Sequence, residues 1–315
     1  PAIITIYGTH ERRNQDSTNP VHILEKAELL YCLDQESVLI KLKGQKIGIH
    51  GLSGVPDQFA KETLNAWSPK PFNDSMNIFL IHQTFNDIIP AEEEKFLEFK
   101  DLPVGFDIYL LGHIHWRVED KHPISNSPIL VPGSTVKTQL REVESIKEKG
   151  FYILDIINNK AKINFIPIKT RPFVYEKLQV DDKKPSEILT LISERIVSLL
   201  KKDYEIKPLV RFKLEGKLAE GFLPTNLNLK PLKDKYKDKL ILNIDKSSLT
   251  SSELEKRELL LQELMEKKES IDKIGLDLLS KSLNFSDPSL EILFELLAEG
   301  NLDAAEGILN KLELK

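Results

Sequence analysis

The sequence predicts an α/β protein built as a layered sandwich, two packed sheets covered by helices, with a smaller unit and a helical tail behind it. Two observations carry this. Short apolar runs that stop at glycine or histidine recur in the first half: Ile3 to Ile6 before Gly8, Ile78 to Ile81 before His82, and Ile108 to Leu111 before Gly112. Further runs at 128–131, 151–156 and 161–168 follow, and beyond residue 170 the pattern turns to longer amphipathic helices.

The stretch Gly112-His113-Ile114-His115 places two imidazoles one residue apart just past a strand end. Residues i and i+2 of a strand share a face, and a turn at Gly112 lets the two rings reach two neighbouring metal ions. His82 ends a second apolar run, and His10 follows a third through Gly8. Open α/β sheets bind ligands at the carboxyl ends of their strands, so three strands each deliver a histidine to that edge. One histidine after a strand is ordinarily a solvated loop residue; three strands with the same ending need another reason. Neutral imidazole suits zinc, manganese, iron and nickel, so the residue type does not choose the metal.

Taken in order, Gly8-Thr9-His10-Glu11, Leu80-Ile81-His82-Gln83 and Gly112-His113-Ile114-His115 resemble the third, fourth and fifth motifs of the calcineurin-like metallophosphoesterases. Within that superfamily the chain looks most like the archaeal double-strand-break repair nuclease of the meiotic-recombination-eleven or SbcD type. His50-Gly51, Pro132-Gly133-Ser134 and Gly150-Phe151-Tyr152-Ile153 add to the likeness, which covers residues 1–170 well and the remainder loosely.

The resemblance implies a metal-dependent DNA nuclease with two divalent ions, manganese being expected. His82 and His113 resemble ligands of one metal and His115 a ligand of the other. His10 resembles the histidine that contacts the scissile phosphate and protonates the leaving oxygen, and Glu11 the carboxylate that orients such a ring. Thr9 stands where the family has an asparagine ligand, and its hydroxyl is a shorter, weaker donor. The first two motifs, Asp-x-His and Gly-Asp, do not precede these. The chain opens at Pro1 in the strand that the family places third. It therefore reads as a fragment lacking about the first seventy residues, on the ordinary spacing of two strand-helix units, with an incomplete metal site. The expected fold is a truncated calcineurin-like two-sheet sandwich over 1–170, an α+β capping domain that guides DNA over 171–250, and a helical partner-binding region over 251–315. The resemblance also implies a coiled-coil ABC-type ATPase as partner, docked on the C-terminal helices, a homodimer when full length, and a place in the cytoplasm on the nucleoid. Two competing readings keep less of this: a small-molecule phosphodiesterase, and a catalytically incomplete scaffold for the ATPase.

With 315 residues the chain is long enough for two domains. Its 41% apolar and 30% charged content is that of a globular protein. A net charge of −5 argues against a uniformly basic nucleic-acid binder, yet patches decide phosphate binding, and bound cations at an acidic edge supply the missing positive charge. The single cysteine, Cys32, allows no internal disulfide and fits a reducing compartment. No apolar run reaches eighteen residues, so no membrane span is expected.

Along the chain, Arg12-Arg13 at the mouth of the site are candidates for neutralising flanking phosphates, with pairing to Glu11 or Asp16 as the plainer role. Asn19-Pro20 predicts a capped helix over 21–30. Lys43-Gly44-Gln45 predicts a hairpin between strands 38–42 and 46–50. Helices are expected over 56–66 and 91–99. Trp116, next to the histidines, is a candidate for stacking on an unpaired base, with loop packing as the alternative. Ser134, Thr135 and Arg141 stand at a strand end within reach of substrate, while 142–149 reads as an exposed charged loop. Pro185 predicts a helix with Ile188, Ile192 and Ile196 inward. Val210, Phe212 and Leu214 predict a half-buried strand with 240–242 as its partner, and Lys230 to Lys239 between them reads as a solvated charged stripe. Ser252 to Glu255 offers a capping box ahead of an apolar stripe from Leu254 to Leu278. Further helices are expected from Asp287-Pro288 to Gly300 and around Leu302 to Leu312.

Overall fold

The computed structural model describes residues 2–11, 18–89, 96–256, 259, 276, 289–298 and 300–309. The chain forms two compact units, one of Pro1–Lys177, Arg195–Lys213 and Lys230–Asp245, the other of Leu178–Glu194, Leu214–Leu229 and Lys246–Lys315.

The first unit opens with β1 (Ile4–Thr5), α1 (Pro20–Lys26) and β2 (Tyr31–Cys32), β2 pairing parallel to β1. Asn19 caps α1 by accepting from the Val21 N–H at 2.9 Å. The helix ends four residues before the sequence suggests, because Ala27 closes it and Glu28 takes a left-handed φ of 59°. Then come β3 (Glu36–Leu42), β4 (Gln45–Leu52), α2 (Asp57–Trp67), β5 (Met76–Ile81), β6 (Ile108–Leu111), β7 (Val118–Lys121) and β8 (Pro128–Val131). They form a six-stranded sheet in the order β3-β4-β5-β6-β8-β7, parallel through β4, β5, β6 and β8 with antiparallel strands at both edges. Lys43 and Gly44 make the β3–β4 turn with φ of 48° and 78°, the positive pair that a two-residue hairpin needs. β7 is an element that the sequence reading passed over, since its polar Val118-Glu119-Asp120-Lys121 shows no apolar alternation and only its edge position makes it a strand.

The parallel strands are apolar on both faces because both are covered. Phe79, Ile81, Tyr109, Leu111, Ile129 and Val131 join Leu64 of α2, Phe85 and Phe106 in the main core. On the opposite face Met76, Ile108 and Leu130 receive Tyr152, Leu154, Ile156 and Ile163 from β9 (Lys149–Ile157) and β10 (Lys160–Ile168), an antiparallel pair turned by Asn158 and Asn159 at positive φ. A mixed α/β fold of several sheets is thus in place.

Between β8 and β9 the structure corrects part of an expectation. Glu142, Ile146, Lys147 and Glu148 are exposed as the charge density suggests, but 142–146 form α3 (Glu142–Ile146), β9 starts at Lys149, and Glu144 and Lys149 are fully buried as an ion pair at 3.2 Å. Those two charges are turned inward, each satisfied by the other.

β11 (Phe173–Gln179), β12 (Leu209–Lys217) and β13 (Ile241–Thr250) form a three-stranded sheet, β12 central, with Val210, Phe212 and Leu214 wholly buried. In α4 (Pro185–Leu199) Ile188, Ile192 and Ile196 are wholly buried. The lysine-rich stretch folds as α5 (Lys230–Tyr236), because Leu232 and Tyr236, four apart, are buried while Lys233 and Lys235 stay exposed. Ser251, one residue earlier than expected, caps the helical residues 252–256 through the Leu254 N–H. Most of the stripe from Leu254 to Leu278, most of 91–99 and the Asp287-Pro288 start lie outside the described residues. α6 (Ser289–Ala298) and α7 (Leu302–Leu309) pack together through a turn at Gly300, φ 75°. Among the described residues no helix is long and apolar enough to cross a membrane.

Cys32 is 6% exposed, and burial, reinforced by Glu25 and Asp34, pushes its thiol up to about 11. Alkylation of the native protein at pH 8 is therefore expected to run on the order of a hundredfold slower than in urea, since the thiolate is the nucleophile. Equal rates in a stopped thiol assay would show that the α1–β2 region leaves this side chain open.

Candidate active site

The strands end level, and backbone bonds hold them so. The Gly112 N–H donates to the Ile81 carbonyl at 2.8 Å and the His82 N–H to the Leu52 carbonyl at 3.2 Å, which brings the carboxyl ends of β4, β5 and β6 to one edge. The loop after β1 is tied to the same edge: the Gly54 N–H donates to the Tyr7 carbonyl at 2.8 Å and the Tyr7 N–H to Ser53 Oγ at 3.1 Å. Three histidine-bearing segments therefore converge.

Two glycines enclose the His82 ring. A Cβ on Gly8 would lie 2.8 Å from its Cε1, and a Cβ on Gly112 2.7 Å from its Nδ1, so neither position takes a side chain without displacing the imidazole. His113 adopts φ 76°, a conformation rare outside glycine that costs roughly 1–2 kcal/mol. This turn sets its Nδ1 3.3 Å from His82 Nε2, the rings inclined at 79°. Burial, then the neighbouring His113, holds the His82 ring down to about 4 against the opposing pull of Glu11. Burial also lowers His113, partly offset by Asp57. Both rings are neutral at pH 7, with lone pairs available.

His115 is held differently. Its Nδ1 lies 2.8 Å from Thr138 Oγ1 and 3.8 Å from Glu144 Oε1, and its carbonyl accepts from Ser134 Oγ and Lys149 Nζ. His10, His82, His113 and His115 line one cleft of about 390 Å³, with Trp116, Ser134 and Arg141 on its walls. All four predicted histidines are thus gathered. Glu11 accepts from the Gly8 N–H at 2.9 Å, steadying the loop that carries His10. Thr9 is exposed and stands apart from the cleft lining, Trp116 both lines the cleft and packs on the main core, and Arg12 and Arg13 lie outside the described residues.

No family model matches the chain. It is 26% identical to the DNA double-strand break repair protein Mre11 of Sulfolobus acidocaldarius, over 98% of this chain and 78% of that one. The protein of the same name from Saccharolobus solfataricus is 26% identical over 93% of this chain and 74% of its own. That from Methanocaldococcus jannaschii is 29% identical over 76% and 60%. The chain is Mre11-like.

Sequence reasoning missed three residues of this Mre11-like site. Asp57, which opens α2 and accepts from Thr84 Oγ1 at 3.3 Å, acts electrostatically on His113. Glu144, from the segment read as an exposed loop, and Thr138, which the sequence reading passed over, support His115. Only the aspartate had a visible signal, its place just after Pro56 at a helix start beside the histidine-bearing edge.

The donor set can be tested against a divalent cation. Two nitrogens bound to one ion at about 2.0–2.1 Å and a near-tetrahedral angle stand about 3.3 Å apart, which is the His82–His113 separation. The pair fits as two ligands of one ion. Among the described residues no group of three His, Cys, Asp or Glu completes a metal-holding set.

His82 makes a prediction for the chelated protein. Its folded value near 4 lies below the ordinary 6.5, so between these pH values the unfolded chain binds more protons and stability falls as pH falls. The contribution is whole above pH 6.5 and lost by about pH 4, on the order of 3 kcal/mol. Urea unfolding of wild type and His82→Gln at pH 7 and 4.5 reads it: the gap between them should narrow at the lower pH, and a constant gap would show a solvated ring.

Proposed function

We propose that this chain is a metal-dependent nuclease that hydrolyses phosphodiesters of DNA in double-strand-break repair. The observation that carries the reading is the convergence of His10, His82, His113 and His115 from three strand ends on one cleft, with the His82 and His113 nitrogens 3.3 Å apart. The naming of the relatives for double-strand break repair supports the DNA substrate over a small diester, and does not favour a bare scaffold.

A phosphodiester repels hydroxide, and its cleavage needs both the attacking and the leaving oxygen stabilised. His82 and His113 would hold one divalent ion and His115 a second; manganese is the ion that the resemblance favours. When bound, such ions supply Lewis-acid stabilisation of the phosphate and an acidified water. The chain's own groups do the rest. His10, exposed on the cleft and carried by a loop that Glu11 braces, gives a proton to the departing oxygen. Arg141 on the wall offsets phosphate charge, and Trp116 offers a face to a base; Arg12 and Arg13 extend the phosphate contacts. Residues 1–170 act as the nuclease domain and 171–250 as a cap that guides DNA. Residues 251–315 are the docking segment for a coiled-coil ABC-type ATPase, which the exposed Ile292, Phe294 and Leu297 of α6 support. The full-length protein would work as a homodimer on the nucleoid in the cytoplasm.

The test is manganese-dependent degradation of linear duplex DNA by the full-length protein. His10→Ala and His82→Ala should each slow it by about 100-fold or more, and chelation should abolish it. Undiminished rates in both variants would refute the assignment. Gly112→Ala keeps every polar group yet pushes on the His82 ring, and should cost on the order of tenfold to a hundredfold.

A further inference from the structure

The buried Glu144–Lys149 pair has no direct place in the cleft, yet both of its members are bonded to groups that hold His115. Glu144 accepts at Oε2 from the Thr138 N–H at 3.0 Å, and at Oε1 from the Gln139 N–H at 3.2 Å and from the Thr138 hydroxyl at 3.2 Å. Lys149 Nζ, 3.2 Å from Glu144 Oε2, donates to Ser134 Oγ at 2.8 Å and to the His115 carbonyl. The pair thus grips His115 twice, at its backbone through Lys149 and at its ring through Thr138.

The direction of these bonds is set by chemistry. An ionised carboxylate only accepts, so the one hydroxyl proton of Thr138 points to Glu144. Thr138 Oγ1 can then only accept from His115 Nδ1, 2.8 Å away, and that nitrogen must carry the proton. A neutral imidazole has a single N–H. Its Nε2 is left bare, and among the described residues no protein group bonds to it.

We infer that Glu144, Thr138 and Lys149 are positioning residues that hold His115 as its Nδ1–H tautomer and keep Nε2 as the lone-pair atom at the cleft. A bond from one ring nitrogen to an acceptor fixes which nitrogen remains to bind a cation, and raises its basicity. That last use of Nε2 rests on the nuclease reading; the tautomer does not.

The tautomer is read directly by long-range proton–nitrogen correlation spectra of the full chain, labelled at histidine, treated with chelator and held at pH 8, with His115→Gln to assign the signal. The wild type should show His115 protonated at Nδ1 and bare at Nε2. Thr138→Ser keeps the acceptor and should keep the pattern. Thr138→Val removes it and should move the proton largely to Nε2. A wild-type proton on Nε2, or a pattern unchanged in Thr138→Val, would overturn the inference without touching the nuclease assay. Titration with Mn²⁺ alone completes the test: Thr138→Val should bind about tenfold to a hundredfold more weakly than wild type and Thr138→Ser. Equal affinities would overturn the role given to Nε2 while leaving the tautomer as measured. A spectrum as expected beside a protein inactive on DNA would instead fault the proposed function.

Discussion

The parallel register of β4, β5 and β6 is the constraint from which the rest of the site follows. Because Ile81 pairs with Leu111 and Leu52 with Ile81, the three strands stop at one level, and the residue after each stop faces the same edge. A slip of one residue would turn His82 to the other side of the sheet and separate it from His113. The apolar side chains that lock the register, Phe79, Ile81, Tyr109 and Leu111, are buried between sheet and helix and are all but wholly enclosed. Packing of the core and aim of the histidines are one structural fact.

That arrangement carries costs which the fold offsets elsewhere. His113 sits in a left-handed conformation, and His82 is enclosed so closely that Gly8 and Gly112 admit no methyl group. Enclosure also disfavours the charged imidazole, which keeps the lone pairs of both rings free at neutral pH. The geometry that strains the backbone is the geometry that prepares the donors, a common association of strain with functional residues.

A second offset lies under His115. Burying Glu144 and Lys149 removes two charges from water at a cost of several kcal/mol per ion, and a well-packed apolar pair could fill the space with less penalty. Here the charges are almost fully used: the carboxylate takes three hydrogen bonds besides its ion pair, and the ammonium two. An apolar substitute would fill the volume but would leave the His115 ring free to choose its proton.

What the residues alone determined is the part written in local pattern. Apolar runs ending at Gly8, His82 and Gly112, the Lys43-Gly44 turn and the Asn19 cap are all short-range features, and the histidines to which they lead do converge. The polar strand β7, the helix α5 and the burial of Glu144 with Lys149 were decided only by tertiary structure. Edge pairing can make a strand of a sequence without alternation. Two isolated apolar residues four apart can bury one face of a lysine-rich helix. A charge reads as solvated until the partner that neutralises it is brought within 3.2 Å, and that partner is set by how β9 returns beneath His115, not by any spacing along the chain.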